Sequence, residues 1–155
     1  MFGDEMSYDA SGRLRWGSEA AGLLLVERHS HRVLLVKRSM SVQDPGVWAV
    51  PGGRVEPGQS LYAAARTEVV EELGSLPFIR LRYQDTYRSG GFTYVTFVAT
   101  VDDAVAQEWQ IELDWENDDY GWFSLDKLPT PLHPNVQRVL NELCFCSKRG
   151  LVQKR

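Results

Sequence analysis

The sequence predicts an α/β fold, a mixed β-sheet held between helices as an α/β/α sandwich. Three observations predict it. The segment FTYVTFVATV, residues 92–101, alternates and is rich in β-branched and aromatic residues, as a strand requires. A helix is predicted between Ser60, an N-cap residue type, and Gly74, suited to the position that closes a helix. A second helix is predicted from Pro134 to Cys146, with Val136, Val139, Leu140 and Leu143 along one side.

The remaining elements follow in order. Residues 1–18 read as a loosely packed N-terminal arm, and 19–155 as one domain. Ala20–Glu27 and Arg32–Arg38 are predicted strands joined by His29-Ser30-His31. Residues 39–46 form a loop ending in Pro45-Gly46, and Val47–Val50 lead into a Gly-rich turn. After the first helix, Phe78–Arg88 and Phe92–Val101 make a hairpin across Ser89-Gly90-Gly91. Tyr120–Ser124 is a further strand. The chain shows no internal repeat and no low-complexity segment.

Composition bounds the function. A chain of 155 residues with 43% hydrophobic content can bury one core. Its net charge of −4 and the lack of a basic stripe with interleaved aromatics argue against a nucleic-acid polymer as partner. The opening MFGDEMSYDASGRLRW is acidic where a signal peptide would be apolar, and no apolar run approaches a membrane span. The expected location is cytoplasmic, with no membrane partner. Cys144 and Cys146 lie two apart and, on the predicted helix, face different sides, which suits ordinary thiols rather than a disulfide.

The chemistry concentrates in GGRVEPGQSLYAAARTEVVEELG, residues 52–74. On a helix, positions i, i+3 and i+4 fall within an arc of about 100°, so Glu68, Glu71 and Glu72 share one side. Two carboxylates about 4 Å apart repel by roughly 4 kcal/mol at an effective dielectric near 20. Such a cluster is comfortable spread out in water or gathered around a cation, and hard divalent ions such as Mg²⁺ prefer these oxygens. Taken alone, the run reads as a solvated face. Its setting changes that reading. Glu56-Pro57-Gly58 makes a tight turn before the helix. Tyr62, Ala65, Val69, Val70 and Leu73 form the expected buried stripe, interrupted by Arg66. The acidic side should therefore point away from the packing face, across the Gly52-Gly53 loop.

The segment resembles the signature of the Nudix hydrolases: Gly, five residues, Glu, seven residues, then Arg-Glu-hydrophobe-any-Glu-Glu-any-Gly-hydrophobe. Laid on Gly53, the chain matches at Gly53, Glu68, Val69, Glu71, Glu72 and Gly74. It departs at Gln59, Thr67 and Ser75, where the family has Glu, Arg and a hydrophobe. Trp48-Ala49-Val50-Pro51-Gly52-Gly53 is similar to the family's strand and Pro-Gly-Gly lead-in. Glu116, six residues before Trp122, resembles the separate glutamate from which many members take another ligand. Similarity extends over roughly residues 20–145. The family's first Glu and its Arg commonly pair; here both are absent together, so neither leaves an unpaired ion. Gln59 is then expected to bond the Thr67 hydroxyl.

The resemblance implies a Nudix fold and a pyrophosphohydrolase. The substrate would be a nucleoside diphosphate linked to another group, either a (deoxy)nucleoside triphosphate or a nucleotide sugar. It implies Mg²⁺, with Mn²⁺ as substitute, held by Glu68, Glu71, Glu72, Glu116 and the Gly52 carbonyl. Asp118 and Asp119 are the alternatives to Glu116. Glu68 is the candidate general base, the other role open to it being a pure ligand; Glu68, Glu71 and Glu72 form the catalytic set. Arg38 and Arg54 are candidates for substrate phosphate, and Tyr87, with Phe92 and Tyr94, for stacking a base. His133 lies in a region that touches the base in some relatives, while His29 and His31 read as turn residues. Gly90 and Gly91 stand where ADP-ribose and dinucleoside-polyphosphate subfamilies carry proline or tyrosine. A homodimer is also allowed, since many members pair. Two other functions stay open: a catalytically weak nucleotide-binding module, and a nucleotide-sugar hydrolase cleaving at the sugar carbon.

Overall fold

The computed structural model describes residues 7–8, 14–15, 19–146 and 149–154. Within the arm expected over 1–18, the described part is a short antiparallel pair, β1 (Ser7–Tyr8) with β2 (Leu14–Arg15). The rest of that segment lies outside the described residues.

The main sheet has seven strands and is mixed. Its strands are β3 (Glu19–Glu27), β4 (Val33–Arg38), β5 (Trp48–Ala49), β6 (Gly52–Arg54), β7 (Arg80–Ser89), β8 (Phe92–Val101) and β9 (Asn117–Phe123). The order is β5-β4-β3-β8-β7, with β6 also paired to β3 and β9 to β4. β3 and β8 run parallel in register from Glu19↔Thr93 to Glu27↔Val101; the other pairings are antiparallel.

β3 explains the layers. Its sequence EAAGLLLVE is almost continuously apolar, the pattern of a strand covered on both faces. Successive side chains point to opposite faces. Ala21, Leu23 and Leu25 join a core with Ala64, Ala65, Val69 and Leu73 of helix α1 (Leu61–Leu73). Leu24 and Val26 join a second core with Val136, Val139 and Leu140 of helix α3 (Pro134–Asn141). The mixed sheet thus lies between helices, as predicted.

Three expectations need correction. The closing helix ends at Asn141, not Cys146; Leu143–Cys146 is strand β10, paired with β11 (Gly150–Gln153). LCFC carries an aromatic and favours a pleated surface, and pairing there lets Leu151 bury in the α3-side core beside Leu143 and Phe145. Both cysteines therefore sit on a strand, and Cys144 is a free thiol. Val70 is 45% exposed rather than part of the buried stripe, because at about 100° per residue it lies beyond the arc that Ala64, Ala65, Val69 and Leu73 bury. A short helix not foreseen, α2 (Asp103–Glu108), follows β8. Asp103 anchors it by accepting from the His29 and Ser30 amides at 2.8 and 2.9 Å, so the turn expected there is braced from outside. No helix among the described residues is long and apolar enough to cross a membrane.

Candidate active site

The site is assembled where β6 runs under α1. Ser60 caps α1 by accepting from the Ala63 amide at 3.1 Å, and Gly74 ends it in the left-handed region at φ 89°. β6 pairs with β3 through Gly52↔Gly22 and Gly53↔Ala21, which presses the double glycine against its neighbours. A Cβ on Gly53 would lie 2.5 Å from the Glu68 carboxylate. One on Gly52 would meet the Tyr94 hydroxyl at 2.5 Å and the Ala21 carbonyl at 2.7 Å. Close approach, rather than turn geometry, dictates glycine at both positions.

The three glutamates of α1 have different surroundings. Glu72 is only 3% exposed. Its Oε2 accepts from the Gly52 amide and its Oε1 from Asn117 Nδ2, each at 2.9 Å. Burial pushes its carboxyl well above the ordinary carboxylate range, opposed by those two hydrogen bonds and reinforced by Glu116 and Glu68. Glu68 is half-buried, its carboxyl pushed up to about 7 by burial first, then by the charges of Glu71, Glu116, Asp114 and Glu56. Glu71 is exposed. The acidic side therefore does not face away from the packing: Glu72 is folded beneath the helix and only Glu71 is solvated.

A second acidic loop closes the site. The Glu112 and Asp114 amides donate to the Leu73 and Glu72 carbonyls at 3.0 Å, docking residues 112–114 on the end of α1. Asp114 Oδ1 then accepts from the Glu116 amide at 3.1 Å, and the Glu116 carbonyl from Ser39 N–H at 2.8 Å. Burial and Asp114 raise the Glu116 carboxyl while Arg38 opposes them. Asp118 and Asp119 stand exposed on β9 and are not among the charges that lift Glu68. Asn117 and Asp114 escaped the sequence reading. Only their place beside Glu116 in DWEND could have flagged them.

The other predicted residues divide. Arg38 is buried at the rim: its Nε donates to the Gln43 carbonyl at 2.7 Å and its charge acts on Glu116. Arg54 lies on β6 opposite Ala20, one residue past Gly53. Tyr87 is on β7 in register with Tyr94, but its ring lies 5.4 Å from the Arg138 guanidinium of α3, away from the acidic loops. His133 caps α3, Nδ1 accepting from the Asn135 amide at 3.1 Å, and burial lowers its pKa. Gln59 does not meet Thr67. Its side-chain carbonyl accepts from the Glu56 amide at 3.2 Å and closes the turn before α1. Ser75, in place of a hydrophobe, accepts from Trp109 Nε1 at 2.8 Å.

Among the described residues, no three His, Cys, Asp or Glu side chains converge tightly enough to clasp an ion as they stand. The donor chemistry nevertheless suits a hard divalent cation. Carboxylates of Glu68, Glu71, Glu72 and Glu116 crowd one another, and buried Asn117 Oδ1 has no protein partner beside Glu72.

A mixed sheet between helices, with a double glycine pressed on a glutamate-bearing helix, defines a hydrolase of the Nudix type. The chain belongs to the Nudix hydrolase family: the family model, NUDIX domain, matches residues 18–143. Over 93 residues it is 30% identical to the nucleoside triphosphatase NudI of Escherichia coli K12, covering 54% of this chain and 66% of that protein. It spans just under two thirds of that relative. The crystal structure of RenU, a Nudix hydrolase from M. smegmatis, superposes with a TM-score of 0.69 at 26% identity, covering 90% of this chain and 91% of that one. A MutT Nudix hydrolase from Burkholderia pseudomallei gives 0.62 at 26% identity, covering 81% and 96%.

Proposed function

We propose that the protein is a Mg²⁺-dependent pyrophosphohydrolase cleaving the diphosphate linkage of a (deoxy)nucleoside triphosphate or a nucleotide sugar. The observation that carries this reading is the half-buried Glu68 carboxyl, held against Gly53 and raised to about 7 amid Glu71, Glu116 and Asp114. NudI, which is described as a nucleoside triphosphatase, supports the substrate class.

Glu68, Glu71, Glu72, Glu116 and the Gly52 carbonyl would hold Mg²⁺, or Mn²⁺ in its place. When bound, the ion neutralises phosphate oxygens and acidifies water. Glu72 is orientated by Gly52 N–H and Asn117 Nδ2, so its remaining lone pairs are fixed in direction. Glu68, its carboxylate pressed against Gly53 at the glycine turn, is the candidate to take that water's proton. The water oxygen bonds to one phosphorus, its proton passes to Glu68, and the bridging oxygen leaves with the second phosphate. Arg38, whose charge acts on Glu116, would meet a phosphate, with Arg54, next to the double glycine, as the second candidate.

Incubation with a panel of nucleotides and Mg²⁺, followed by product identification, tests this. A nucleoside monophosphate is expected. Nucleoside diphosphate released from a nucleotide sugar would mean cleavage at the sugar carbon, and ligand binding without turnover would mean a binding module. Glu72→Gln should remove nearly all turnover; retention of activity in that variant would overturn the ligand assignment.

A further inference from the structure

A cleft of about 740 Å³ lies at the other end of the sheet, bordered by Glu27, Thr100, Arg80, Arg82 and Phe145 among others. Along β3, Glu27 stands five residues beyond Gly22, about 17 Å at ~3.4 Å per residue. The cleft is therefore separate from the acidic site. Its volume is in the range of small-molecule pockets.

Its charge is opposite to that of the protein. The chain carries a net charge of −4, yet Arg28, Arg80, Arg82 and Arg149 all line this cleft. Among the described residues, Glu27 is the one carboxylate that lines it, and it is closed off. It accepts from Arg32 Nε at 2.5 Å, Arg32 Nη2 at 3.1 Å and Ser30 Oγ at 2.8 Å. Arg28 has a long contact, 3.7 Å, with Asp102, both side chains being more than half exposed. A cleft lined by one sign of charge focuses its field and concentrates counter-ions.

The backbone is shaped around those arginines. The register of β7 against β8 shifts between Leu81 and Tyr83, leaving Arg82 as the extra residue of a bulge. Bulges re-aim side chains and gather beside functional sites. Here the bulge turns Arg82 towards Arg149, whose carbonyl accepts from Arg82 Nη2 at 2.7 Å. Arg80 stands opposite Thr100, which adds a hydroxyl. One wall is aromatic: Phe145 and His31 stack at 3.8 Å between centroids and 9° between planes. His31 holds that place with φ at 63°, a backbone region that few residues other than glycine adopt.

The geometry points to a second binding site, for a phosphorylated small molecule of nucleotide size. Its phosphates would sit among Arg80, Arg82 and Arg149 and its planar base against the Phe145–His31 wall. Guanidinium groups match phosphate oxygens in fork geometry, and an aromatic face accepts any base.

Calorimetric titration in EDTA tests the site, because without a cation the acidic cluster repels phosphate. Inorganic pyrophosphate, ADP, adenosine and a short single-stranded oligonucleotide are the probes. Pyrophosphate and ADP are expected to bind and adenosine not to. Arg80→Glu with Arg82→Glu should weaken both at least tenfold; these side chains are exposed, and an unchanged melting curve confirms folding. Phe145→Ala should weaken ADP severalfold while leaving pyrophosphate within twofold. Binding that survives the double charge reversal would overturn the proposal. So would adenosine binding as tightly as ADP, or an oligonucleotide binding tenfold more tightly than ADP.

Discussion

The Asn117 side-chain amide meets the Glu72 carboxylate at 2.9 Å in a place where Glu72 is only 3% exposed. The other carboxylate oxygen takes the Gly52 amide at the same distance, so one buried acid joins β9, α1 and the glycine turn. Removing Asn117 leaves a buried oxygen without its donor, at a cost of about 1–3 kcal/mol. Asn117→Ala should lower stability by that amount in a denaturant titration. It should also cut kcat by more than tenfold, since Glu72 loses its orientation. A variant that melts earlier but turns over normally would show that the contact is structural only.

Gly53 faces Glu68 so closely that a methyl group would sit 2.5 Å from the carboxylate. Gly53→Ala must therefore displace Glu68 or bend β6. The expected outcome is a kcat as low as that of Glu68→Gln, with far-UV circular dichroism unchanged. Activity within twofold of the parent would mean that Glu68 works equally well elsewhere.

Much of this was legible in the chain. The glycine turn, the Ser60 and Gly74 ends of α1 and the two-faced apolar strand β3 are local patterns, and local physics decided them. The acidic spacing placed Glu68, Glu71 and Glu72 on one helix. It could not show that Glu72 lies under that helix, because burial depends on β6 and β9 arriving from elsewhere. Asn117 and Asp114 were invisible for the same reason: their meaning comes from hydrogen bonds across 45 residues to Glu72 and to the end of α1. The helix expected to run on to Cys146 failed where apolar periodicity fits both a helix and a strand. Pairing with β11 settled it.

Asp85 is 4% exposed on β7 and is gripped by both terminal nitrogens of Arg138, with Gln153 Nε2 adding a bond at 3.3 Å. This cluster fastens α3 and β11 to the sheet edge. Arg138→Met leaves a buried carboxylate unpaired and should cost about 3 kcal/mol, the lower end for breaking a buried pair. Adding Asp85→Asn should restore part of the loss. If the two changes are simply additive in a double-mutant cycle, the pair is not coupled.

The acid cluster also sets a pH dependence in the absence of metal. Glu68 has its carboxyl raised from 4.5 to about 7 in the folded protein. Between these values the folded state holds a proton that the unfolded chain has released. By linkage, stability then falls as pH rises across that window, and levels off above it. Glu72, raised in the same sense by burial, adds to the loss. A bound cation relieves the repulsion among the ionised carboxylates, so its stabilising effect should grow from pH 5 to pH 8. Thermal melts in EDTA and in Mg²⁺ measure both trends. The EDTA curve should flatten in Glu68→Gln, and the gap between the two conditions should shrink at low pH. A melting temperature in EDTA that climbs between pH 5 and pH 7 would contradict the electrostatics of the site, whatever the enzyme's substrate.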